Sequence, residues 1–371
     1  MIRASLALPL CLLSVLAPAA ADPLQFGSGS RFLALRPFVQ ADLAIATDVP
    51  AGFPTDRADL NVARLYAEAR HGRLGARFSY DFQDEARVTM AYASYSPTDR
   101  IEFRLGQQDE PFSLVDLSGR RAQTMIDGNE AVALAPGDNV GIVAVHDGER
   151  HTLSAGLFGG DLQTGVGAEG LAVAGRAVWN PTGRGERLTH LAIAAARRSG
   201  RDLRAGFVSQ VGANLLPREL VSVGAFEDVD RLDRLNLEGA FRFGSVSAQS
   251  EVTFVAVDRR TGSDESPLGV YLLGSWILTG EIRPYAGGSF GQIVPDRPVF
   301  SGGYGAWELA ARMDGTDTDG GGRTLRGTLG LNWHLSRRLR LGLNASHTDI
   351  EGSPSGLSSV SGTFLRLQYA H

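Results

Sequence analysis

Three features of this 371-residue chain predict an all-β fold, a transmembrane antiparallel β-barrel of about sixteen strands, with eighteen as the upper count. The last fifty residues alternate apolar and polar side chains through three consecutive segments. Over 325–335 the Leu and Trp residues oppose Arg326, Thr328, Asn332 and His334. Leu339, Leu341, Leu343 and Ala345 then oppose Arg338, Arg340, Asn344 and Ser346, and Leu365, Leu367 and Tyr369 oppose Arg366 and Gln368. A period of two belongs to strands with unlike faces. The second feature is a beginning that reads as an export signal. The third is the way short turns alternate with long polar loops.

Residues 1–21 have the layout of a secretory signal peptide. Arg3 gives a positive n-region, 4–15 an apolar stretch, and Ala19-Ala20-Ala21 a small-residue cleavage site before Asp22. The apolar stretch is too short for a membrane helix, and nothing after it is apolar enough to be one. The single cysteine, Cys11, lies inside the signal, so the expected mature domain, 22–371, has no thiol, disulfide or cysteine metal site. Removing the signal takes Arg3 away and leaves 35 basic against 41 acidic residues, a net charge of about −6. Every basic residue other than histidine is Arg, and there is no Lys. An acidic exported chain of this kind does not fit a nucleic-acid partner.

Alternation predicts strands at 31–46, 59–70, 73–83, 86–96 and 99–107. After a long irregular stretch they resume at 140–147, 150–159, 171–180, 186–197, 202–210, 231–244, 246–258, 268–279, 281–291, 303–313, 323–335, 337–349 and 361–370. His71-Gly72, Pro97-Thr98-Asp99 and Asp147-Gly148 mark tight turns, whereas 259–267, 314–322 and 350–360 are longer loops. Tight turns on one rim and long loops on the other are the layout of an outer-membrane barrel. A single-chain bacterial barrel needs an even number of strands. Alternation is poorest at 202–210 and 281–291; dropping both from the eighteen gives sixteen. In lipid the sheet must close, because an open edge would leave backbone groups unpaired.

On 73–83, Leu74, Ala76, Phe78, Tyr80 and Phe82 oppose Arg73, Arg77, Ser79 and Asp81; on 235–243, Leu235, Leu237, Phe241 and Phe243 oppose Asn236, Glu238 and Arg242. If the apolar set meets lipid, the inside carries the charge. Unpaired buried charge is prohibitively costly, so a water-filled lumen is the simplest expectation. Arg73, Arg77, Arg104, Arg176, Arg242, Arg326, Arg340 and Arg366 are then expected to face inward and favour anions by focusing potential, partly offset by Glu68, Glu102, Glu238 and Asp127. For any single Arg, a cross-strand acid competes with solute contact.

Residues 108–139 contain no convincing strand. Structureless insertions of this length are uncommon and are usually functional or disordered. This one follows the fifth strand, where a loop folded into the barrel would narrow it; a solvated outer loop is the alternative. Asp109, Glu110, Asp116 and Asp127 are its candidate constriction acids, and Arg120 and Arg121 its candidate anion contacts.

The run from Gly106-Gln107-Gln108-Asp109-Glu110-Pro111-Phe112-Ser113-Leu114 to Ala135-Pro136-Gly137-Asp138-Asn139-Val140-Gly141 resembles the pore-loop signature of the phosphate-selective porin O and P family. Further resemblances are Leu278-Thr279-Gly280-Glu281-Ile282-Arg283-Pro284-Tyr285, Gly305-Ala306-Trp307-Glu308-Leu309-Ala310-Ala311-Arg312, and Gly330-Leu331-Asn332-Trp333 before an Arg-containing hairpin. They fall in the family's order across most of the mature chain. The resemblance implies a sixteen-stranded outer-membrane porin, usually a homotrimer, with its first long loop tucked inside. It implies passive diffusion of small hydrophilic solutes, anions such as phosphate among them. The implied partners are outer-membrane lipid and small anionic or neutral solutes, with no cofactor.

The family's phosphate-specific members use a ladder of inward arginines helped by lysines, and guanidinium groups suit tetrahedral oxyanions well. Of that ladder this chain keeps Arg64 in Asn61-Val62-Ala63-Arg64 and Arg204 in Leu203-Arg204-Ala205-Gly206. Met125-Ile126-Asp127 has an acid where the family commonly has a cation, and Arg120 matches a commonly basic position. Two other classes compete. A barrel enzyme would need a nucleophile and base held together, and the seven histidines are scattered. A non-transporting structural barrel would need its charged interior plugged. The carboxylates of 314–322 have a spacing that could suit Ca²⁺ but lack the closing Glu of an EF-hand.

Overall fold

The computed structural model describes residues 24–47, 56–83, 86–129, 131–167, 169–208, 222–318, 322–352 and 356–371. The signal at 1–21 and residues 319–321 of the Asp-rich loop lie outside the described residues. A short β1 (Gln25–Ser28) pairs with the start of β2 (Arg31–Thr47). The wall continues through β3 (Asp56–His71), β4 (Leu74–Asp81), β5 (Arg87–Tyr95), β6 (Ile101–Asp109), β7 (Asp138–Asp147), β8 (His151–Phe158) and β9 (Leu171–Trp179). It goes on with β10 (Arg187–Val208), β11 (Ser222–Phe243), β12 (Val246–Arg259) and β13 (Leu268–Ile277). A two-stranded hairpin, β14 (Tyr285–Ala286) and β15 (Ser289–Phe290), interrupts it before β16 (Ala306–Asp317), β17 (Arg323–His334), β18 (Leu339–Glu351) and β19 (Ser359–Ala370).

Each wall strand pairs antiparallel with the next, and β19 pairs with β2, so sixteen strands close on themselves. The sequence expectation of sixteen holds, with a correction at each weak segment. Segments 186–197 and 202–210 fuse into the single strand β10, its ladder to β11 shifting register between Ser199 and Leu203. Segment 281–291 supplies no wall strand but the β14–β15 hairpin.

Burial is inverted relative to a soluble protein. Leu329, on the outer face of β17, is 65 % exposed, whereas Arg326, three residues earlier on the inner face, is 0 % exposed. Leu157, Leu171, Leu272, Leu325 and Phe241 lie outside with Leu329, while Asn236, Glu308, Asn332, Asn344 and Arg366 are buried inside. An apolar exterior suits lipid. The buried interior charge requires partners, and the segments folded into the lumen supply them.

Candidate functional site

The β5–β6 ladder ends at Ala91 and Gln107, while β6 and β7 stay paired as far as Asp109 and Asp138. Gly106 permits this departure. Its φ is +133°, and a Cβ there would lie 2.1 Å from the Ala91 carbonyl oxygen. The chain between β6 and β7 enters the lumen and begins a short helix, α1 (Leu114–Ser118), capped by the Ser113 side chain. Glu251 on β12 receives the Leu114 and Val115 amides, each at 3.1 Å, and is itself held by Asn236 and Tyr271 at 2.8 Å.

Beyond Gly119 (φ +71°) a single 3-10 turn carries Arg120–Ala122. The next residues are fastened to the opposite wall. Asn332 donates to the Thr124 carbonyl at 2.9 Å, and Asn344 accepts from the Ile126 amide at 2.7 Å. Asp127 accepts from Arg312 and Arg326, both at 2.9 Å, and Asp314 bonds the same two guanidiniums. Leu134 then packs among Leu203, Phe207, Val229 and Leu232 while its carbonyl accepts from Arg234 at 2.8 Å.

A second segment, 278–305, also folds inward. Its hairpin buries Tyr285 and Phe290 against Leu114, Leu188 and Ala240, and the Phe290 amide donates to Ser118 of α1 at 3.1 Å. Tyr285 bonds His190 at 2.6 Å, and His190 bonds Glu238 at 3.0 Å, which Arg176 also holds. Arg283 reaches Gln249 at 2.7 Å. Within this hairpin, Gly287-Gly288-Ser289-Phe290-Gly291 matches the spacing of a nucleophile elbow, a feature the sequence reading passed over. It is a β-turn instead: Ser289 donates to the Ala286 carbonyl at 3.3 Å, and none of its described bonds is to a histidine.

The two inserts pack mainly against β7 to β19 and leave the inner faces of β3 to β6 less covered. There Tyr66, Glu68, Glu102 and Arg104 remain part-exposed and Arg77 exposed. Arg64 pairs with Asp81 at 2.9 Å, Arg77 with Glu68 at 3.3 Å, and Arg104 with Glu102 while lying 5.5 Å from the Tyr92 ring centroid. Arg121 donates to the main-chain oxygen of His371 at 3.0 Å and covers the rings of Tyr66 and Phe38 at 5.1 and 5.7 Å. Arg120 and Arg36 form no ion pair or hydrogen bond with any described residue.

Several expected pore contacts lie elsewhere. Arg73 sits in the β3–β4 turn, beyond the wall. Arg204 is on the exposed side of β10, next to Leu203, which turns inward. Arg326 is sealed behind the loop by Asp127 and Asp314. Arg242 is buried and donates to the carbonyls of Arg283 and Gly185. Arg340 is buried between the Gln123 carbonyl and the Gln368 side chain. Among the loop acids, Asp127 is buried in its lock and Glu110 is buried against Arg198 and Asn139. Asp109 and Asp116 keep access to the lumen. The sequence reading missed Arg36 because it pairs with no visible motif; its place on the inward parity of β2, two residues before Phe38, was the available signal.

Burial raises the carboxyl of Asp116 well above the usual carboxylate range, and the neighbouring charges of Asp109 and Glu251 add to it. Burial lowers the guanidinium of Arg120, with Arg64 and Arg366 repelling it further, and lowers that of Arg121, with Arg36 repelling it. The lumen thus carries cations that have gathered near one another without a carboxylate side chain bonded to them among the described residues.

The profile of the family described as phosphate-selective porin O and P matches residues 52–371. An uncharacterized protein of Caulobacter vibrioides (strain ATCC 19089 / CIP 103742 / CB 15) is 27 % identical over 364 residues, covering 89 % of this chain and 71 % of the relative. The solved trimer form of OmpT, an outer membrane protein of Vibrio cholerae, superposes with a TM-score of 0.60 at 11 % identity, over 91 % of this chain and 99 % of that one. An anion-selective porin from Comamonas acidovorans gives 0.58 at 17 % identity, over 91 % and 99 %. The outer membrane channel DcaP of Acinetobacter baumannii gives 0.57 at 13 %, over 93 % and 99 %. At these identities the structural likenesses bear on fold.

Proposed function

The chain belongs to the phosphate-selective porin O and P family, and from that premise we propose a water-filled outer-membrane channel for passive diffusion of small hydrophilic solutes, with a preference for anions such as phosphate. The observation that carries the preference is the group Arg36, Arg120 and Arg121 on the lumen, which has no carboxylate side-chain partner among the described residues. Guanidinium groups in a narrow aqueous lumen raise local anion concentration and replace part of an oxyanion's hydration. Of the expected ladder, Arg204 lies on the exposed side of β10 and Arg64 is paired with Asp81, while the inward Arg242, Arg326 and Arg340 are engaged by wall and loop. Export with loss of 1–21 and assembly as a homotrimer belong to the same proposal, the second supported by the trimer form among the solved relatives.

The test is conductance of the refolded protein in a planar bilayer under a salt gradient, with phosphate then titrated into chloride. Arg120→Gln should lower the anion-to-cation permeability ratio roughly five-fold, the effect of a unit charge several ångströms from the ion at intermediate dielectric. Arg204→Gln should leave it unchanged. A ratio indifferent to Arg120 would sink the anion preference, and absence of conductance would sink the channel.

A further inference from the structure

We propose that the constriction favours amphoteric solutes, small molecules with an ammonium at one end and a carboxylate at the other, such as dipeptides. This rests on the channel reading above and names a solute class for the same lumen.

Arg64 is matched by Asp81, Arg366 by Asp42, Arg77 by Glu68 and Arg104 by Glu102. Among the described residues Arg36 and Arg120 have no carboxylate bonded to them, and Arg121 meets only the main-chain oxygen of His371. Arg121 is pressed over Tyr66 and Phe38 of β3 and β2, and Arg120 lies within electrostatic reach of Arg64 and Arg366, which fixes a cationic pole beside β2, β3 and β19. The acids sort the same way. Asp109 and Asp138 stand directly opposite each other where β6 and β7 leave the wall, and Asp116 of α1 lies within reach of both. Neither Asp109 nor Asp116 forms an ion pair with any described residue, and Asp138 has only Arg87 at 4.0 Å. An acidic pole therefore lies beside β6 and β7.

Both poles are carried by one short segment. Asp116 sits in the middle of α1 and Arg120 one residue beyond Gly119, near enough for their charges to act on each other. A dipeptide carries its two charges on a span of two residues, at about 3.8 Å between successive Cα atoms, and can address both. A simple anion meets attraction at one pole and repulsion at the other, and so does a simple cation. A solute with both charges is attracted at both, in a low-dielectric constriction where such fields are weakly screened.

The test uses swelling of proteoliposomes containing the full chain at about pH 7, where the dipeptide ammonium stays largely protonated, so that osmotic flux reports solute permeation. The probes are glycylglycine and N-acetylglycinamide, similar in size and both without net charge. Glycylglycine should enter about three-fold faster, on the order expected for two weak charge contacts. Asp116→Asn and Arg120→Gln should each bring the two rates together. Asp116→Glu and Arg120→Lys, which keep each charge at its pole, should retain the difference, which a merely misfolded loop would not do. Arg197→Gln, on an exposed outer pair, should change nothing. Equal rates in the natural protein, or a difference that survives both single variants, overturns the proposal. A rate difference without anion preference under a salt gradient would remove the preference proposed above and leave this inference standing; absence of conductance would remove both.

Discussion

An arginine on the inner wall of this barrel has one of two environments, and the choice is made by what lies opposite. Arg326 meets Asp127 and Asp314 and is sealed away, whereas Arg120, part-exposed, meets Arg64 and Arg366 and has no acid bonded to it among the described residues. Asp116 makes the same distinction among the acids. Its carboxyl is held high by burial and by Asp109 and Glu251, so it gives up its charge at a pH where an ordinary aspartate keeps it. The sign follows directly. Acidification through its titration removes that charge and leaves Arg120 and Arg121 charged, so the anion-to-cation permeability ratio should rise as the pH falls. Reversal potentials across a pH series measure this, and Asp116→Asn should show a smaller rise. An unchanged ratio in the natural protein would contradict the assignment.

At the scale of elements, the loop between β6 and β7 is held by a few buried polar groups on β12, β16, β17 and β18. Asp127 is the critical one, since it neutralises two guanidiniums that are almost wholly buried. Asp127→Ala should cost about 3–5 kcal/mol of loop docking, because breaking a buried pair strands charge in a dry site. The wall ladder does not involve this residue, so the barrel should persist while open-channel current becomes larger and noisier. A quiet channel of unchanged conductance would show that the loop is held by other means. This lock also explains what the sequence showed and what it hid. Trp307-Glu308 through Arg312 was visible as a family block, and there Glu308 accepts from Thr124 of the loop and Arg312 holds Asp127. Asp127 was read as an acid at the pore because spacing alone does not reveal that the loop turns it away from solvent.

The whole barrel depends on closure between its first and last wall strands. Arg366 of β19 donates two bonds to Asp42 of β2, at 2.7 and 2.6 Å, and the two residues are direct partners across the seam. Both are buried, so Asp42→Ala should lower the temperature at which the heat-modifiable barrel unfolds on gels. Asp233→Ala, which breaks an exposed outer pair with Arg197, should have little effect, since such pairs contribute about 0–1 kcal/mol. The double substitution Asp42→Ala with Arg366→Met should recover part of the loss, because it removes the stranded charge. If the single and double variants melt together, the seam pair is not what holds closure.

Taken by itself, the sequence determined the wall. A period of two is a local property, and lipid outside with charge inside leaves little freedom once strands must close; even the weakness of 202–210 and 281–291 correctly took them out of the count. It also located the long insert, because 108–139 was too long and too irregular to be a hairpin, but left open whether that insert folds inward or outward. Which arginines face solute was decided only by the tertiary structure. Arg64, Arg120, Arg326 and Arg340 share the same alternation or the same loop, but their partners come from residues up to 217 positions away, as with Arg340 and Gln123. Inward parity is written in neighbouring residues. Whether a second segment then covers that side chain depends on how two inserts, one from each end of the barrel, divide a single lumen.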